Sequence, residues 1–306
     1  MNSSRPMWHG VYPAATTQFD ADMSVNIDAT LKVQTALVDD GVDGLVLLGT
    51  VGENNSLLPE EKRAIVKASV EALGNRVPIT TGVSELSTDR AVQYARDAEA
   101  LGVTALMVLP AMVYVPTADE LFAHFKAVAE ATSLPIMLYN NPPAYRVSIG
   151  FDTLDRLAEI PNIVAIKESA PDSRRFTDVI NRYGDRFTLM AGLDDVALEG
   201  LLLGATGWIS GLTSAFPPES VALIEAFERG DLEEARAIYR WFMPLLHLDA
   251  DPDLVQAIKL SEQVMGRGSE RVRMPRLPLT GQRRADVIAM VEKCAATRPT
   301  LRAEAA

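Results

Sequence analysis

Eight times along the chain a short apolar run is followed by a stretch with helical periodicity, and this alternation constrains the fold more than any other feature. The apolar runs fall near residues 10–17, 44–49, 77–82, 105–109, 135–139, 163–167, 187–191 and 207–209. The helical stretches follow near 27–40, 59–73, 87–101, 117–132, 149–160, 173–183, 195–203 and 218–228. Runs that stay apolar without alternating suit strands covered on both faces, as the strands of parallel sheets are. Eight strand–helix units in series predict an α/β fold, a (β/α)8 TIM barrel over residues 8–230. Local signals agree with the helix limits: Leu58-Pro59-Glu60-Glu61 places proline and acids in a first turn, and Gly74 and Gly102 follow the ends of two helices. Residues 231–300 read as three further helices, near 231–246, 253–265 and 283–296, packed on the barrel or on a partner subunit. A length of 306 residues is ordinary for one barrel domain.

Active sites of such barrels lie at the C-terminal ends of the strands. The sixth apolar run, Ile163-Val164-Ala165-Ile166, ends on Lys167 and is followed by Glu168-Ser169. The other six lysines, Lys32, Lys62, Lys67, Lys126, Lys259 and Lys293, lie in helical stretches, where a solvated ammonium costs nothing. A lysine on a buried strand loses its hydration, which favours the free amine, and a free amine attacks carbonyl or imine carbons. The competing reading is a buried salt bridge, with Glu168 as partner. After the second run, Gly49-Thr50-Val51-Gly52-Glu53 turns from strand to helix, so a carboxylate fits on the Thr50 hydroxyl and the Thr50 and Val51 amides; an ordinary turn is the alternative. Tyr139 ends the fifth run and is either a proton relay or a tyrosine capping the core. The same strand ends supply Asn141, Gly192, Asp194 and Ser210 as candidate substrate contacts. The joint occurrence of Thr50, Tyr139 and Lys167 at three strand ends carries the functional reading.

Other chemistries lack their residues. The formal charge of −12 opposes binding to nucleic acid or anionic membranes. A single cysteine, Cys294, excludes an intramolecular disulfide and suits a reducing cytosol. The first six residues show no signal-peptide pattern, and no apolar stretch reaches the about 18 residues of a membrane span. His9, His124 and His247 are isolated, so no metal site is expected, and no Walker loop, Gly-x-Ser-x-Gly elbow or dinucleotide fingerprint follows a strand. Asp249, Asp251 and Asp253 alternate with Ala and Pro, which reads as a solvated loop and helix cap rather than a cation site. Met107, Met112 and Met137 read as core or pocket lining.

Together, the Gly49–Glu53 loop, Tyr139-Asn140 followed by Pro142, and Ile166-Lys167-Glu168-Ser169 make the chain resemble the dihydrodipicolinate synthase and N-acetylneuraminate lyase family over residues 8–300. The resemblance implies a barrel with a C-terminal helical region, a homotetramer, and no metal or organic cofactor. It further implies that Lys167 forms a Schiff base with a 2-oxo acid, that Tyr139 shuttles protons, and that Thr50 with Val51 holds the substrate carboxylate. In the synthase branch a second threonine stands at the place of Val51, a tyrosine at that of Met112, and a carboxylate-binding arginine at that of Ala144; Tyr114 and Arg146 lie two residues further on. These departures argue against the synthase reaction. Gly192, Asp194 and Asp195 are similar to residues of the sialic acid lyase branch that bind substrate hydroxyls, although Met107, Leu109 and Met112 suggest a pocket too apolar and small for a sugar chain. The loop run through Asn54, with Tyr139-Asn140-Asn141-Pro142, looks most like the branch acting on 1-pyrroline-4-hydroxy-2-carboxylate, which releases ammonia and 2,5-dioxopentanoate. A 2-keto-3-deoxy sugar acid dehydratase or aldolase is the alternative, ahead of the synthase or of an idle barrel that only binds a small acid.

Overall fold

The computed structural model describes residues 7–111 and 114–301. Among them are eight strands: β1 (Gly10–Pro13), β2 (Leu45–Leu47), β3 (Ile79–Val83), β4 (Ala105–Val108), β5 (Ile136–Asn140), β6 (Ile163–Glu168), β7 (Thr188–Ala191) and β8 (Gly207–Ser210). All their pairings are parallel, in the order β1-β8-β7-β6-β5-β4-β3-β2. The ring closes between β1 and β2, where Ala14 pairs with Val46 and the Ala15 N–H donates to the Val46 carbonyl at 2.9 Å. The result is a (β/α)8 barrel with nearly every strand residue buried, which is why the runs read as continuously apolar.

Helix starts follow side-chain chemistry. Asn26 caps Ile27–Asp39 by accepting from the Ala29 N–H at 2.8 Å, and Thr117 with Glu120 forms a capping box on Ala118–Glu130. Gly102 takes the left-handed conformation, φ 85°, after Thr88–Ala100. Gly74 ends Pro59–Leu73 differently: its backbone is right-handed, and a Cβ there would stand 2.7 Å from the Val70 carbonyl oxygen. It is glycine for space.

Three C-terminal helices, Leu232–Leu246, Leu254–Val264 and Gly281–Ala296, complete the chain. They pack on the barrel, and Phe242, Leu245, Ile258 and Val287 share its continuous apolar core. Phe242 makes edge contacts with Trp208 of β8 and with Phe216, at centroid separations of 6.4 and 5.7 Å. No helix among the described residues is long and apolar enough to cross a membrane.

Two lysines depart from the expectation that helical lysines are solvated. Lys62 is buried against Glu85, with Nζ 2.5 Å from Oε1. Lys259 is fully buried and bonds Glu53 Oε1 at 2.8 Å and the Thr17 carbonyl at 2.7 Å. Periodicity places a residue on a helix face, but the cover over that face comes from distant parts of the chain.

Candidate active site

At the C-terminal mouth of the barrel a cavity of about 580 Å3 opens, with Lys167, Tyr139, Thr50, Val51, Asn141 and Gly192 in its wall. Lys167 and Tyr139 are register partners on β6 and β5, so the two side chains rise together from adjacent strands. The lysine nitrogen lies 4.2 Å from the centroid of the tyrosine ring. Gly192, just after β7, gives the lysine stem its room: a Cβ there would stand 2.6 Å from Lys167 Cγ.

The salt-bridge alternative for Lys167 does not hold. Glu168 points to the other face of β6, where it accepts from Arg175 Nε at 2.6 Å, Asn140 Nδ2 at 2.7 Å and the Ala170 N–H at 2.8 Å. Among the described residues no carboxylate lies within 4.0 Å of the Lys167 nitrogen. Burial drives the Lys167 amine below the usual lysine range, against the pull of charge on Asp249, Tyr145 and Asp194. The amine is therefore poised as a nucleophile. Burial, with the charge of Asp249, pushes the Tyr139 phenol up to about 12, so it carries its proton at neutral pH.

Asn141 serves Tyr139 and the backbone together. Its Nδ2 donates to the Tyr139 hydroxyl at 2.9 Å, while its Oδ1 caps a short helix, Pro142–Tyr145, through the Ala144 N–H at 3.0 Å. That helix returns Tyr145 to the site, edge-on to Tyr139 and hydrogen-bonded through its hydroxyl to Thr50 Oγ1. Burial raises the Tyr145 phenol as well. Tyr145 is hard to read from sequence, because its placement depends on a one-turn helix that begins at a Pro-Pro pair. The Thr50 and Val51 amides have no acceptor in the protein among the described residues, which leaves both donors for an anion.

Two candidate contacts sit elsewhere. Asp194 is fully buried and accepts from Trp208 Nε1 at 3.0 Å, Ser210 Oγ at 3.1 Å and the Leu212 N–H at 3.0 Å. Ser210 Oγ in turn accepts from the Thr213 N–H at 3.0 Å. Both side chains thus tie the ends of β7 and β8 together, and neither is among the cavity-lining residues. A one-turn 3-10 helix at Asp194–Val196 turns the first acid inward and brings Asp195 to the cavity wall.

The C-terminal region adds Asp249, Asp251 and Arg276 to the cavity wall. Asp195 pairs with His247 at 3.0 Å, and Arg283 clamps Asp251 at 2.6 Å and Asp253 at 2.8 Å. The alternating acids are thus partly a clamp and partly a cavity wall, which their spacing alone did not reveal. Met107 lines the cavity and Met137 is core, whereas Met112 lies outside the described residues. Tyr114 and Arg146 are exposed and absent from the cavity wall.

An amine so placed has the chemistry to form a covalent imine with a substrate carbon, and this chain is an enzyme of the class that does so, a lysine Schiff-base lyase on a (β/α)8 barrel. It belongs to the dihydrodipicolinate synthetase family, which residues 7–294 match. It is 34% identical over 272 residues to 4-hydroxy-tetrahydrodipicolinate synthase 1 of Halalkalibacterium halodurans, covering 89% of this chain and 92% of that one. The crystal structure of dihydrodipicolinate synthase from Aquifex aeolicus superposes with a TM-score of 0.89 at 28% identity, over 94% of this chain and 98% of that one. YagE from E. coli K12, a family protein solved in complex with pyruvate, gives a TM-score of 0.89 at 26% identity, over 95% and 99% of the two chains.

Proposed function

We propose that the chain is a deaminase of 1-pyrroline-4-hydroxy-2-carboxylate, giving 2,5-dioxopentanoate and ammonia. The observation that carries this reading is the charge layout of the cavity. The lining offers the Thr50 and Val51 amides to a single carboxylate and otherwise carries Asp195, Asp249 and Asp251, with Arg276 as its one arginine. Arg276 is itself tied to the loop at Ser56 Oγ, 3.3 Å away, with Glu53 Oε2 at 4.0 Å. Ala144 stands where a synthase would bind its second carboxylate. Such a wall disfavours a second anion and suits a protonated ring nitrogen and a hydroxyl.

In this mechanism the Lys167 amine adds to the ring C2=N carbon, and loss of the ring nitrogen from that carbon opens the ring to a lysine imine with a free amine at C5. Tyr139 moves a proton from C3 as the 4-hydroxyl leaves, with the imine as electron sink. Tautomerisation carries the new double bond to an imine at C5. Hydrolysis there releases ammonia, and hydrolysis at C2 frees the dioxo acid and the amine. One water is consumed overall. The synthase-named relatives and the pyruvate complex of YagE support imine chemistry on a 2-oxo acid without selecting this substrate. The Asp195–His247 pair favours hydroxyl recognition, which keeps a 2-keto-3-deoxy acid dehydratase or aldolase as the second reading. A cytosolic homotetramer is the proposed form, testable by sedimentation.

Ammonia release from the pyrroline, against product formation from 2-keto-3-deoxy acids, decides between the two readings. Borohydride reduction with pyruvate adds the mass of the reduced adduct to the protein, and Lys167→Ala removes both the adduct and turnover while circular dichroism stays unchanged. A trapped adduct on the variant, or turnover above a trace, refutes the imine mechanism.

A further inference from the structure

Of the four acids around the 247–253 segment, three are paired with basic side chains: Asp195 with His247, and Asp251 and Asp253 with Arg283. Asp249 has no cation within 4.0 Å among the described residues, yet it lines the cavity. Its carboxylate lies over Gly211, where a Cβ would stand 2.9 Å from Oδ1, so it overhangs the end of β8. Tyr139 flanks Lys167 from β5 on one side. Asp249 stands over the β8 end at Gly211, accepts a backbone hydrogen bond from Asp194, and is close enough for its charge to act on both Lys167 and Tyr139. Two proton-bearing groups therefore neighbour the amine in one cavity, and the proton shuttle above uses only one.

We propose that Asp249 is the catalytic acid that protonates the departing hydroxyl of a substrate held as the Lys167 imine. The inference rests on the function proposed above and supplies the acid that its elimination step needs. Once Tyr139 has taken the C3 proton, the electron pair rests in the enamine. It returns to form the C3=C4 bond as the C4–O bond breaks, and the oxygen leaves as water with the Asp249 proton. Without an acid the leaving group is hydroxide, a far poorer one. Burial, with the nearby Asp195, lifts the Asp249 carboxyl to about 6 against the opposing pull of Lys167, so part of it holds a proton near neutrality. The same role serves an open-chain 3-deoxy-4-hydroxy-2-oxo acid, whose C4 hydroxyl leaves in the same way.

Asp249→Asn is the test, with three readouts. Borohydride trapping of pyruvate and exchange of the pyruvate methyl protons in D2O should fall far less than turnover of the 4-hydroxy substrate, because neither breaks a C–O bond. Turnover of the 4-hydroxy imino acid should fall about 10²–10⁴-fold, the usual worth of general acid catalysis. The 4-fluoro analogue, whose fluoride needs little protonation, should lose far less turnover than the 4-hydroxy substrate. An equal loss on both leaving groups, or no loss on the hydroxyl, overturns the proposal. If the variant does not fold, the wild-type enzyme gives the answer: a solvent deuterium isotope effect on the 4-hydroxy substrate and none on the 4-fluoro one supports the acid, and equal effects overturn it. Wild-type protein that traps pyruvate but converts neither the 4-hydroxy imino acid nor the open-chain acid overturns the proposed function and this role with it. Wild-type turnover with no leaving-group dependence in Asp249→Asn overturns the acid alone.

Discussion

Tyr139 receives a hydrogen bond from Asn141, meets Tyr145 edge-on and lies against Lys167, so its phenol is held at a fixed height in the cavity. Tyr139→Phe keeps the ring and its packing and removes the proton. We expect kcat to fall about 10²–10⁴-fold with little change in KM and with pyruvate trapping retained, measured by steady-state kinetics and mass spectrometry. A near-normal kcat would transfer the relay to Tyr145, whose hydroxyl bonds Thr50. The residues legible in the sequence were those whose placement follows from strand ends alone: Thr50, Tyr139 and Lys167. Tyr145 and Asp249 were not legible as site residues, because a one-turn helix and a distant loop bring them in. Asp194 and Asp195 were not distinguishable in the string Gly192-Leu193-Asp194-Asp195, since nothing there shows which acid a 3-10 turn sends inward.

The element that binds the barrel to its C-terminal region is the helix Leu254–Val264. Its Lys259 reaches Glu53, a residue in left-handed backbone conformation at φ 57°, at the base of the proposed carboxylate loop. Glu53 also accepts from the Arg273 N–H at 2.9 Å, and Lys259 lies 4.5 Å from the centroid of the Phe19 ring. Burial lowers the Lys259 amine, with Glu53 opposing that shift. Removing one partner strands the other without water. Lys259→Met should therefore cost about 3–5 kcal/mol in denaturant unfolding, and adding Glu53→Leu should recover part of that loss. A cost below about 1 kcal/mol would mean that water reaches the pair. The strand and helix order was readable because apolar period and helix caps are local. This pairing was not, because 205 residues separate its members in sequence order between Glu53 and Lys259.

For the molecule as a whole, pH acts through the same seam between barrel and tail. Glu262 is fully buried, accepts from Thr16 Oγ1 at 2.8 Å and from Gln18 Nε2 at 3.4 Å, and burial raises its carboxyl from 4.5 to about 7. A carboxyl raised by folding favours the folded state when protonated. That contribution is complete below about pH 4.5 and is lost as pH rises through about 7. The melting temperature of the wild type relative to Glu262→Gln should thus decline from about pH 5 to about pH 8, and a constant difference across that range would exclude the shift. The architecture also separates tasks along the chain. The amine and phenol come from β6 and β5, whereas Asp249 and Arg276 arrive only with the final quarter. A nascent polypeptide that has just finished β8 already holds the nucleophile but neither the tail's share of the wall nor the acid assigned to it. If the elimination proceeds as proposed, half-made chains on the ribosome cannot complete it, and translation itself sets the moment at which the enzyme can begin to work.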